Sequence, residues 1–120
     1  MKKFKNTTIM GYNGKPLMSR DRDESGQVKE EKEIKLVNAL WVILNAAPLK
    51  SQNDSIQGSR LAKSLDKAEE NGFIEIEDGV HDWLKPIAEQ VTPQLFRING
   101  HVIYELIKEG FEKVKETKDV

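Results

Sequence analysis

Few stretches of this chain carry side chains whose types and spacing could do chemistry. Asp21, Asp23 and Ser25 set oxygen donors at alternate positions, with Gly26 for a sharp turn and Val28 beyond it, the opening of a calcium-binding loop. The twelfth position of such a loop needs a bidentate glutamate, and here it is Lys32, flanked by Glu31 and Glu33. The residues before Asp21 lack the apolar spacing of an entering helix. The segment therefore reads as a charged loop, and no metal and no cofactor is expected. His81 adjoins Asp82, but no second histidine or carboxylate follows at i+3 or i+4 to complete a ligand set. His81 is expected at the exposed start of a helix, and His101 in the first turn after Gly100. Glu75 and Glu77 share one face of an alternating stretch, which is ordinarily the wet side of a strand. Without cysteine there are no disulfides, thiolate metal sites or thiol nucleophiles. No serine sits in a nucleophile elbow, and no glycine-rich run follows a strand to cradle phosphate. No catalytic residue is assigned, and the chain is not expected to be an enzyme.

Recognition is the chemistry that remains. Nineteen lysines and arginines against 20 acids give a net charge of -1, so the whole molecule has no general attraction for nucleic acid or an anionic membrane. The charge is nonetheless uneven. Residues 1–20 carry Lys2, Lys3, Lys5, Lys15 and Arg20 and no acid, whereas acids dominate between Asp66 and Glu89. The basic arm and the acidic middle can pair within the fold or face a partner. A protein partner is expected, contacted through Tyr12 and Lys15 or through Glu75, Glu77 and Asp78. Tyr12 stands at a turn between Gly11 and Asn13, where an aromatic ring is free to make contacts.

Arg60 to Asp78 resembles the closing part of a winged-helix DNA-binding domain, where a recognition helix runs into a glycine and a short strand. The residues that carry the likeness are Leu65 and then Gly72-Phe73-Ile74-Glu75-Ile76. It implies an exposed face on which Arg60, Lys63 and Lys67 meet nucleic acid. Glu69, Glu70, Glu75, Glu77 and Asp78 oppose that use, because affinity for DNA rests largely on phosphate neutralisation. Nucleic acid is thus the alternative partner, disfavoured by the acids.

The elements that position these residues follow from the apolar pattern. At 120 residues the chain is expected to form a single domain over 1–120: a hairpin arm over 1–18, a charged loop over 19–31 and a helical body over 32–116. Ile34 to Leu49 is the main apolar concentration. Ile34, Val37, Trp41 and Leu44 form one helical stripe, and Leu36, Leu40, Ile43 and Ala47 a second beside it. Such a helix, starting near Lys29 to Glu33 and ended by Pro48, must be covered on two sides; Trp41 or Val42, if left exposed, would be the first suspect for a contact.

Phe4–Met10 and Lys15–Met18 read as two strands around Gly11-Tyr12-Asn13-Gly14, with Pro16 confined to an edge. Asp54 or Ser55 suits the N-cap of a second helix that stops at Asn71-Gly72. Phe73 to Glu77 is a short strand expected to join the hairpin in a three-stranded sheet. A helix starting near Asp82 keeps Pro86 close to its first turn, Thr92-Pro93 starts a short further helix, and Val102 to Val114 gives the last. The predicted fold is mainly α (α+β), a compact four-helix cluster with an N-terminal β-hairpin and one additional short strand. The lysines at the start are not followed by an apolar run, and no window spans a membrane, so the expected location is the cytoplasm.

Placed in this order, the elements resemble small proteins encoded by tailed phages and prophages. The likeness rests on the Gly14-Lys15-Pro16-Leu17 turn, the Leu36–Ala47 helix, the polar helix from Arg60 to Glu70, Ile74 to Val91, and a closing helix after Pro93 and Gly100. The Ser19–Glu31 segment is longer than in that outline. The resemblance implies a viral origin, with the host cytoplasm as location, and an accessory role rather than a mechanism.

Overall fold

The structure, a computed structural model, describes residues 2–22 and 24–108. Three helices lie wholly among them: α1 (Leu36–Ala46), α2 (Gln52–Asn71) and α3 (Asp78–Phe96). A 3-10 turn at Arg97–Asn99 follows, and residues 100–108 are again helical. Four strands complete the order: β1 (Lys2–Lys5), β2 (Met18–Arg22), β3 (Val28–Glu33) and β4 (Phe73–Ile76). The chain is mainly helical with a smaller β component. Four main helices are predicted and three complete ones are found; the predicted helix through Val114 is described only as far as Lys108.

The apolar stripes of α1 do what their spacing demands. Leu36, Val37, Ala39, Leu40 and Ile43 are buried. They share one core with Leu61, Leu65 and Ala68 of α2, Val80, Leu84, Ala88 and Val91 of α3, and Ile103 and Ile107. The helix starts later than Lys29–Glu33 because those residues belong to β3. Its N-cap, Lys35, has no oxygen to offer the first turn, so the amide of Asn6 supplies one: its Oδ1 accepts from the Val37 N–H at 3.0 Å. The helix stops at Ala46 because Ala47 precedes Pro48 and takes an extended conformation (φ -65°, ψ 135°). Ser51, rather than Asp54 or Ser55, caps α2, its Oγ accepting from the Asp54 N–H at 3.1 Å. Gly72 ends that helix in the left-handed region (φ 76°), as Asn71-Gly72 predicts.

The strand after Gly72 pairs with the N-terminal strand, as expected, but in a two-stranded sheet in place of the three-stranded one predicted. β1 runs antiparallel to β4, with Lys3 opposite Glu75 and Phe4 opposite Ile74. Phe4, Ile74 and Ile76 all face the core, and their burial decides the pairing. The predicted turn still forms beyond β1. Gly11 N donates to Lys15 O at 2.8 Å and Leu17 N to Ile9 O at 2.9 Å, with Met10 bridged to Pro16. Pro16 thereby occupies a pair whose N–H groups point away from each other, so its missing donor costs no bond.

Residues 19–31, predicted as a charged loop, contain most of a second hairpin. β2 pairs with β3, Ser19 opposite Lys32 and Arg20 opposite Glu31, and Gly26 (φ 85°) serves the turn. Among the described elements, β2 and β3 pack substantially only on each other.

α3 is one helix where two were predicted. Pro86 and Pro93 both lie inside it and both are exposed. Their spacing puts them two turns apart on the solvent side, where water can reach the carbonyls they leave unbonded. The turn after α3 is tight: a Cβ on Gly100 would lie 2.7 Å from the Thr92 backbone carbon and oxygen, so only glycine fits.

Candidate functional site

Two turns far apart in sequence meet at one end of the molecule. The backbone N–H of Tyr12 donates to Asn99 Oδ1 at 2.9 Å, joining the Gly11–Lys15 turn to the 3-10 turn after α3. Lys15 N donates to Asn13 Oδ1 at 3.1 Å, and Gly14 (φ 75°) takes the conformation that closes the first turn. Gly11 lies close against its neighbour, since a Cβ there would be 3.0 Å from Asn99 Oδ1 and 3.1 Å from Leu17 Cδ2. This contact leaves Tyr12 and Ile98 each 62% exposed, more than any other large apolar side chain described, with Met10 exposed beside them. Arg97, exposed at the end of α3, holds φ 55° and ψ -126°, the single non-glycine residue of positive φ among those described. A backbone of that kind costs on the order of 1–3 kcal/mol and persists where surrounding structure imposes it.

Of the residues assigned to partner contact from sequence, the structure places Tyr12 and Lys15 together on this knuckle. Arg97 and Ile98 were not assigned, because nothing in a local pattern shows that a turn after Phe96 will face a turn near the start. Glu75 and Glu77 lie on the outer side of β4 and at the entry to α3, engaged with the chain's own cations. Glu75 is 3.8 Å from Lys3 Nζ, which also sits 4.5 Å from the centre of the Phe73 ring. Glu77 is 3.7 Å from Arg60. Asp78, the first residue of α3, also has an interaction partner within the chain. Lys3–Glu75 thus joins the basic arm to the acidic middle within the fold. Arg60, Lys63 and Lys67 are all exposed on α2; besides the Arg60–Glu77 pair, Lys67 and Glu75 line the same small cleft with Ser64 and Phe73.

His81 is buried (3% exposed) rather than at the surface. Its Nε2 lies 2.9 Å from the Ile107 carbonyl, which can only accept, so that nitrogen carries the hydrogen. The Phe4 ring covers it at 5.5 Å, and Nδ1 has no partner. The ring ties α3 to helical residues 100–108. Residues Asp21 and Ser25 to Val28 of the calcium-like segment lie on a β-hairpin, flanked by β2 and β3 instead of helices; Asp23 is outside the described residues. Among the described residues no group of three histidines or carboxylates could hold a metal ion, and no helix is long and apolar enough to cross a membrane. Trp41 is half-buried, while Val42 is 43% exposed on an outer face of α1 shared with Asn38, Asn45 and Ala46.

The fold and this surface define a small α+β protein with an exposed apolar and basic knuckle. Compared with family models, with curated proteins and with solved structures, the chain matches none of them.

Proposed function

We propose that this is a small non-enzymatic accessory protein, of the phage type its outline resembles, that acts in the host cytoplasm by binding a protein partner through the Tyr12 knuckle. The observation that carries the reading is the pair Tyr12 and Ile98, two large apolar side chains held outward on turns that are themselves fixed by the 2.9 Å Tyr12–Asn99 hydrogen bond. A rigid, exposed aromatic beside an arginine is the composition of interface centres. The acidic alternative has less support, since Glu75 and Glu77 already face Lys3 and Arg60 of the chain itself.

DNA binding by α2 suits these surroundings less. The arginine that would approach a phosphate already faces Glu77, and β4 leads directly into α3, with no strand after β4 among the described residues to form a wing. Affinity capture from the producing cell with native protein, and in parallel with Tyr12→Asp and Ile98→Asp, tests the reading. One protein should be retained by the native chain, lost with both variants, and form a stoichiometric complex when purified. Equal retention by all three overturns the assignment to this knuckle.

A further inference from the structure

The two segments that build the knuckle share a property, that neither carries an acid. Residues 6–20 contain no acid, and residues 90–104 contain none either; all 20 acids lie outside them. They meet where Tyr12 N–H reaches Asn99 Oδ1; the first carries exposed Met10, Tyr12 and Lys15, and the second exposed Arg97, Ile98 and His101. On a chain of net charge -1, a negative partner meets cations here without a competing carboxylate on the same two segments.

We infer that the knuckle takes an acidic segment of the partner protein with at least one apolar anchor residue, a deeper reading that rests on the protein-binding function proposed above. The apolar side chains supply a dry centre, and Lys15 and Arg97 supply the charged rim. Arg97 adds a separate argument. At φ 55° and ψ -126° its backbone is one that glycine adopts with less strain. An arginine here brings a planar, permanently charged fork suited to carboxylates. Nucleic acid fits less well, because two full cations neutralise too few phosphates to hold a strand.

Selection of a random displayed peptide library on the full chain tests the inference. Enriched peptides should combine Asp or Glu with Leu, Phe or Trp. Their affinity should fall at least about tenfold in Tyr12→Ala and in Arg97→Glu, and fall again as salt rises. Arg97→Gly separates a binding role from a structural one: it should raise the melting temperature while weakening the peptides. A basic consensus, or an acidic one indifferent to Arg97→Glu, overturns the inference yet leaves protein binding standing. An empty selection overturns it too, and an empty affinity capture alongside removes the binding reading itself.

Discussion

Asp54 shows how much one carboxylate settles. Its Oδ1 accepts from the Trp83 indole N–H at 3.0 Å, and its Oδ2 from the Lys50 N–H at 2.9 Å. The first of these bonds, then the second, holds the carboxyl below the usual carboxylate range. A depressed folded pKa contributes stability that is complete above the ordinary value, about 3.9, and is lost as pH falls through the folded value. Urea unfolding followed by tryptophan fluorescence should therefore show stability declining in that acid window. Asp54→Ala should be less stable at neutral pH and decline less steeply in acid; an unchanged acid slope would remove Asp54 from the account. From sequence, Asp54 was a possible cap, but Trp83, its strongest partner, lies beyond any local pattern. His81 escaped for the same reason. Both groups that bury it, Phe4 and the Ile107 carbonyl, come from other elements, and a helix placed to begin at Asp82 leaves it outside.

Among the elements, the β2–β3 hairpin is the one the core does not need. Met18 is register partner to Glu33, and the connection on either side is secured independently by Ile34 N to Leu17 O at 2.9 Å. Replacing residues 19–32 by an Asn-Gly turn should keep the helical circular dichroism and change stability by no more than about 1 kcal/mol, since β2 and β3 pack substantially only on each other among the described elements. A loss of several kcal/mol would show that the hairpin supports the body. This hairpin was illegible because its strands, MSRDR and VKEEKE, are mostly charged and do not alternate in hydropathy, on which period-two reading depends. α1, α2 and β4 were legible for the opposite reason: Leu36/Leu40/Ile43, Leu61/Leu65/Ala68 and Ile74/Ile76 each mark an inward face. The prolines of α3 misled, because a proline inside a helix is counted as a break until its exposure is known. The knuckle was half legible. Gly11 to Lys15 announces a turn with an aromatic at its tip, but the Arg97–Asn99 turn that completes it follows from the length of α3, which the sequence reading had cut short.

For the molecule as a whole, the near-cancellation of charge is spatial as well as numerical. Lys3–Glu75 and Arg60–Glu77 set acids of β4 and its exit beside cations of β1 and α2. Each of these exposed pairs adds little to stability, on the order of 0–1 kcal/mol. Their larger consequence is for the long-range field, because Glu75 and Glu77 set negative charge beside the α2 cations that a polyanion would approach. Removing the acids should unmask what the basic residues could do. Glu75→Gln with Glu77→Gln, in an otherwise native chain, should fold normally and gain weak, salt-sensitive affinity for duplex DNA of any sequence, while the native protein shows none at about 0.15 M salt. Gel shifts across a salt series read this directly. If instead the native chain binds one sequence strongly, and Arg60→Ala, Lys63→Ala and Lys67→Ala abolish it, the acids are no obstacle and α2 is a recognition helix after all. If the doubly neutralised chain remains indifferent to DNA, the α2 face carries too little positive charge in any state, and the acids are not what keeps DNA away.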